Sequence, residues 1–187
     1  MFKIPRRNLG VRTFVNGIRI KTSTKLLVQD TGGDVWRGAL ALAKYLPADE
    51  PGSIQDKKVL ELASGTGILG LSLILAGASH VTMSDKHNMT ELILANAESN
   101  ADILPFGRAT VAPLDFSAPT MDEGVLDAGP FDTVVVSDVF YDEEIVIPFI
   151  NTLRRLCTMS SSSARCVSPP NWKSMFPSHC PTPRHCT

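Results

Sequence analysis

A chain of 187 residues, 43% hydrophobic and 20% charged, is long enough for one domain with a sizeable core. No apolar run reaches the length that spans a bilayer, which argues against a membrane partner. The net charge of −1 hides a segregated pattern: the first 29 residues carry seven Lys/Arg and no acid, while all nineteen Asp/Glu lie between Asp30 and Glu144 beside six Lys/Arg. Such an acidic centre repels nucleic acid and favours a cationic partner such as a lysine-bearing protein surface, although the same charges also serve solubility.

Along the chain, Pro5, Arg6 and Arg7 are followed by alternating residues rather than an apolar signal core, so no secretory leader is expected. The basic start reads better as a hairpin than as a mitochondrial transit peptide. Val11 to Ser23 alternates around Asn16-Gly17, with Ile18 and Ile20 on one face. Thr31-Gly32-Gly33-Asp34-Val35-Trp36-Arg37-Gly38 leads into a helix that turns Val35, Ala39, Leu42 and Leu46 inward, with Asp34 as its expected cap. A polar loop, Pro47 to Gln55, follows. Val59 to Leu62 is a buried strand with Glu61 inside it, and Ala63-Ser64-Gly65-Thr66-Gly67 is a turn. Ile68 to Ala76 is expected to be an amphipathic helix, which completes Gly65-x-Gly67-x-x-Gly70.

A second strand, His80 to Ser84, ends in Asp85, and Asn88-Met89-Thr90-Glu91 has the capping-box pattern of a helix running to about Ile103. Thr110 to Leu114 is a third strand ending at Asp115-Phe116. Ala118 to Pro130 is a loop or weak helix. Phe131 to Ser137 is a fourth strand, apolar on both faces, followed by Asp138-Val139-Phe140-Tyr141 and a helix from about Asp142 to Leu156. Alternating strands and helices imply an α/β doubly wound parallel sheet in the order 3-2-1-4. From Thr158 no further strand is readable, and the Ser/Pro composition reads as a disordered tail. His179-Cys180 and His185-Cys186 match no zinc spacing, so no metal is expected. All four cysteines lie at Cys157 and beyond, so the core needs no disulfide and fits a reducing compartment.

Gly65 and Gly67 let backbone approach a ligand, and an acid at the end of the second strand suits the hydroxyls of a ribose. Glu61 narrows the choice. A carboxylate so close to the turn would repel a pyrophosphate but not a phosphate-free nucleoside bearing an amino group, of which S-adenosylmethionine is an example. A nicotinamide-dependent oxidoreductase is disfavoured by that acid and by the lack of a recognisable substrate domain.

Taken together, Gly33 to Ala39 with Leu42 to Leu46, Lys58 to Gly67, Ser84-Asp85, Asn96 with Asn100, and Ser137 to Tyr141 occur in an order that resembles the seven-β-strand lysine methyltransferases of methyltransferase family 16. The resemblance runs from about Phe14 to Leu156. It implies a Rossmann-like class I methyltransferase sheet, with strands 1 to 4 recognisable, S-adenosylmethionine as cofactor and a protein lysine as acceptor. Three regions are expected: a basic hairpin extension over 1–30, the donor-binding domain over 31–156 and the tail over 157–187.

By that resemblance Ala63, Ser64, Gly65, Thr66 and Gly67 hold the methionine part of the donor and Asp85 its ribose, and Glu61 is counted with them as a donor-binding residue. Trp36 borders the donor from the N-terminal side, Phe116 and Ser137 lie near the adenine and loop side, and Asp115 completes the donor-binding set. Asp138 and Tyr141 form the acid-x-x-aromatic motif beside the acceptor and are the candidate catalytic pair. Three positions depart from the family: Ala63 replaces a usual glycine, Phe116 a common tryptophan, and Arg37 a proline that often follows the Trp. The tail replaces three expected strands, which points to a shortened product with an unpaired edge at Val134-Val135-Val136. A catalytically inactive binding module and an arginine acceptor are therefore the alternatives to lysine methylation. A cytoplasmic location is expected, with the nucleus second and the mitochondrion third; oligomeric state stays open.

Overall fold

A computed structural model of the chain describes residues 11–14, 16–159 and 165–167. Two short antiparallel strands, β1 (Arg12–Thr13) and β2 (Arg19–Ile20), flank the Asn16-Gly17 turn, with Ile18 and Ile20 fully buried. The main sheet is wholly parallel, in the order β5-β4-β3-β6-β7. Its strands are β3 (Lys58–Leu62), β4 (His80–Asp85), β5 (Ala109–Pro113), β6 (Thr133–Val136) and β7 (Arg165–Val167). The helices are α1 (Thr24–Asp30), α2 (Arg37–Asp49), α3 (Ile68–Leu75), α4 (Thr90–Ser99), α5 (Glu123–Ala128) and α6 (Val146–Met159).

Alternation along each strand divides the core into two layers. Val59, Val81, Met83 and Val135 face α2, α3, α4 and the hairpin. Leu60, Leu62, Ala112, Val134 and Val136 face Val125 of α5 and Phe149 and Leu156 of α6. Both faces are covered, so the strands are apolar almost throughout. The expected order of the first four strands, 3-2-1-4, is the order found.

The hairpin reaches α4 through backbone rather than through apolar contact alone. Asn96 Oδ1 accepts from Lys21 N at 2.8 Å while its Nδ2 donates to Lys21 O at 3.1 Å. Asn100 repeats the pattern on Arg19, with both bonds at 2.8 Å. The spacing explains the match: four helical residues rise about 6 Å and two strand residues about 6.7 Å. Two asparagines one helical turn apart therefore act as a substitute neighbouring strand.

Several local expectations are corrected. Asp34 does not cap α2; the cap position is Trp36, which makes no side-chain cap bond, and Asp34 accepts instead from Val35 N and from Arg12. The Asn88 capping box is not formed: a 3-10 turn, His87–Met89, precedes α4, which ends at Ser99 rather than Ile103. Helix α3 is not amphipathic, because Ile68 to Ile74 are all buried between the sheet and α2. Thr24 to Asp30, placed in the hairpin extension by the sequence, is helical. The segment expected to lack strands contributes β7, whose pairing with Thr133, Val134 and Val135 closes the edge expected to be open. Residues 157–159 of the proposed tail end α6, and apart from β7 the rest of it, including His179, Cys180, His185 and Cys186, lies outside the described residues.

Candidate active site

The parallel strands bring four segments to one edge of the sheet: the turn 63–67 after β3, Asp85 after β4, Asp115-Phe116 after β5, and Ser137 to Tyr141 after β6. The chain leaves β3 toward β4 on one side and later returns as β6 on the other. That reversal opens a crevice at the carboxyl ends of the strands, where ligands of such sheets bind.

The turn itself needs left-handed backbone. Gly65 and Gly67 have φ of 56° and 78°, and Ala63 has 53°, a conformation that costs a residue with a Cβ about 1 kcal/mol. Gly67 N donates to Ser64 O at 2.7 Å, and Ser64 N to Ser84 O at 3.0 Å, which ties the turn to β4. Thr66 is buried, and its carbonyl accepts from Asn96 Nδ2 at 2.9 Å. The asparagine that docks the hairpin thus also holds the turn.

Glu61 supports this turn from below. It is 2% exposed, and its Oε2 accepts from Gly70 N at 3.0 Å. A Cβ on residue 70 would lie 2.6 Å from that oxygen and 2.5 Å from Met83, so only glycine lets α3 start so near the strand. Burial pushes the Glu61 carboxyl up to about 8, against the pull of hydrogen bonds from Ser64 and Gly70. Asp85 lies at the rim. Its Oδ2 accepts from Gly65 N at 2.7 Å and its Oδ1 from Lys86 N at 2.8 Å. Burial raises this carboxyl too.

Around the crevice, Trp36 is 40% exposed and its Nε1 donates to Thr31 O at 2.9 Å. Phe116 meets Phe149 edge to face at 5.4 Å, and Phe149 meets Phe140 at 5.2 Å. Asp115 accepts from Ser117 N and Oγ, bonds that hold its carboxyl below the usual range. Ser137 is half-buried directly after β6. Asp138, at φ 53°, is exposed, and its Oδ2 accepts from Ala39 N at 3.1 Å. It therefore caps α2 from ninety-nine residues away, the role that local reasoning gave to Asp34. Tyr141 is 57% exposed.

Sequence reasoning gave Asp30, Lys86, Asn88 and Gly32 no part in the site. Asp30 accepts from Lys86 Nζ at 3.1 Å and from Asn88 Nδ2. Lys86 is raised above the usual lysine range, first by that bond and further by the charge of Asp30 and by Tyr141 and Asp115. A Cβ on Gly65 would lie 3.2 Å from Gly32 O, so the 31–33 turn rests on the glycine turn. The Gly32-Gly33 pair was the visible signal, since adjacent glycines mark close backbone approach.

The residues fit an adenosine-type donor. Each Asp85 oxygen carries two lone pairs and spends one on a backbone N–H, which leaves an acceptor for each of two vicinal hydroxyls. Backbone replaces side chain at the mouth, and no cation for a pyrophosphate stands in the glycine turn, Ala63 to Gly67.

A lysine methyltransferase family model matches residues 16–169. EEF1A lysine methyltransferase 3 of Mus musculus is 36% identical over 123 residues, 66% of this chain and 50% of that protein. Protein-lysine N-methyltransferase EEF2KMT of Homo sapiens is 31% identical over 150 residues, 74% of this chain and 44% of that protein. The chain thus spans about half the length of these relatives. Among solved structures, the S-adenosylmethionine-dependent methyltransferase SibL in its apo form aligns with a TM-score of 0.52 at 16% identity, over 68% of this chain and 35% of that one, a likeness of fold.

Proposed function

Because this chain belongs to the lysine methyltransferase family, we propose that it transfers a methyl group from S-adenosylmethionine to a lysine side chain of a protein. The observation that carries the donor half of this reading is Asp85, whose two oxygens are each held by a backbone N–H beside the glycine turn and each keep a free lone pair. The lysine acceptor is drawn from the relatives, which are named for protein-lysine methylation.

When bound, the donor supplies a methyl group on a sulfonium, open to in-line displacement by an amine. The chain's part is positioning. Asp85 accepts the ribose hydroxyls, the 63–67 turn gives backbone contact, and Trp36 and Phe116 offer aromatic walls. Asp138 keeps one carboxylate oxygen beyond its bond to Ala39 N and receives the acceptor's ammonium. Tyr141 borders the alkyl stem and presents a π face to the cation. A lysine is protonated at neutral pH and an acid beside it favours that form, so the proton leaves to water before attack. Asp138 is thus an orienting group, and orientation to within about 3 Å is what such a displacement needs.

The test is transfer of labelled methyl to extract protein, followed by hydrolysis to amino acids. Methyl-lysine is expected; methyl-arginine would move the reading to an arginine acceptor. Donor binding without transfer would make the chain an inactive binding module. Asp138→Asn keeps an oxygen for Ala39 N–H and tolerates the left-handed backbone, so the fold is expected to survive while transfer drops about a hundredfold. Unchanged transfer in that variant would remove Asp138 from the acceptor site.

A further inference from the structure

Helix α1 rides on a closed loop. Ser23 N donates to Gly33 O at 2.8 Å, which joins the loop's two ends. The helix fully buries none of its own residues, and Val28 is 84% exposed. Leu26 packs partly against the core. On the flank toward α4, Lys25, Leu26 and Gln29 line an open cleft of about 630 Å³ together with His87, Asn88 and Leu92, so packing there is incomplete. A loop with so little buried surface opens at small cost unless something ties it.

The tie is at its far end. Asp30, the last residue of α1, takes Lys86 Nζ at 3.1 Å on one oxygen and Asn88 Nδ2 on the other. Its side chain is 19% exposed and that of Lys86 45%. Lys86 directly follows Asp85, and its own backbone N–H holds Asp85 Oδ1 at 2.8 Å. Two residues after Asp30, Gly32 packs on Met89 and Gly65: an added Cβ would meet Met89 Cε at 2.8 Å, and a Cβ on Gly65 would lie 3.2 Å from Gly32 O. Gly65 N is in turn the donor to Asp85 Oδ2. The polar tie and the glycine contact therefore join the same two segments on either side of one carboxylate.

We propose that Asp30 is a positioning residue for the methyl donor: paired with Lys86 and Asn88, it holds the loop 23–33 shut so that Gly32, Gly65 and Asp85 keep the spacing the donor binds. The proposal rests on the reading that the donor occupies this edge. It assigns Asp30 no contact with the donor. The effect passes through Lys86 and Gly32.

Backbone hydrogen exchange over residues 24–33 and calorimetric binding of S-adenosylhomocysteine, measured on the full chain, test it together. Asp30→Ala and Lys86→Met should each speed exchange in that loop and weaken binding about five- to tenfold. The exchanged pair, Asp30→Lys with Lys86→Asp, should recover most of both, which a merely structural loss would not do. Binding to the wild type should weaken with added salt, and binding to Asp30→Ala should be nearly indifferent to it. Unchanged exchange in Asp30→Ala overturns the latch, and faster exchange with unchanged affinity overturns its role in binding. A wild-type chain that ignores S-adenosylhomocysteine overturns the donor reading itself, a failure visible before any variant is made.

Discussion

Glu61 and Thr82 sit on adjacent strands, and each carries a polar group in the core with a measurable consequence. The Glu61 carboxyl is pushed by burial to about 8 from an ordinary 4.5, so the folded state holds its proton more tightly than the unfolded chain does. The stability tied to that proton is complete below pH 4.5 and is lost as the pH rises toward 8, at up to about 1.4 kcal/mol per pH unit. Urea titrations at a series of pH values should show this decline. Glu61→Gln, which keeps an oxygen for Gly70 N–H, should flatten much of it and leave the variant more stable than wild type at pH 8. Part of the slope stays, because burial raises Asp85 in the same direction. Thr82 offers the opposite case: its Oγ1 is buried without a hydrogen-bond partner among the described residues. Thr82→Val replaces an unpaired hydroxyl by a methyl of similar size and should stabilise the fold by about 1 kcal/mol in the same urea assay.

Among the elements, the hairpin's attachment to α4 is the contact most exposed to a single change. Asn100→Ala would strand the N–H and C=O of Arg19 together with Asn96 O, and should cost about 2–3 kcal/mol by chemical denaturation. Asn96→Ala should cost a similar amount and also loosen the Thr66 carbonyl, so it alone should weaken donor binding. These asparagines were recognisable in the sequence only as a family pattern; their pairing with a strand from the chain's start could not be read locally. The same limit explains the misplaced caps. An acid just before an apolar run reads as an N-cap, yet Asp34 is taken by Arg12 and Val35 N, while the cap of α2 comes from Asp138, far along the chain. Asn88 likewise turns away from α4 toward Asp30. Gly65, Gly67 and Gly70 were legible because their need is local: two take left-handed backbone, and the third leaves room for Glu61. Strand β7 has three residues, too few for any alternation to register.

For the molecule as a whole, the proposed donor side gathers the turn after β3, the acid after β4, Phe116 and Ser137, whereas the proposed acceptor side rests on Asp138 and Tyr141 after β6. The two sides can be probed separately, because donor binding and methyl transfer are separate measurements. Donor binding is expected to be intact in this chain even where transfer is weak. A ligand that binds only the folded state, present at a hundred times its Kd, adds about 2.7 kcal/mol of stability. For a domain of this size each kcal/mol moves the melting temperature by about 2–4 °C, so saturating S-adenosylhomocysteine should raise it by about 5–11 °C. Asp85→Ala should abolish the shift, since it removes the proposed acceptor for the ribose and the partner of Gly65 N at once. If the ribose sits on Asp85 as proposed, adenosine should reproduce part of the shift and homocysteine almost none. Equal shifts from both fragments would place recognition elsewhere than on that carboxylate.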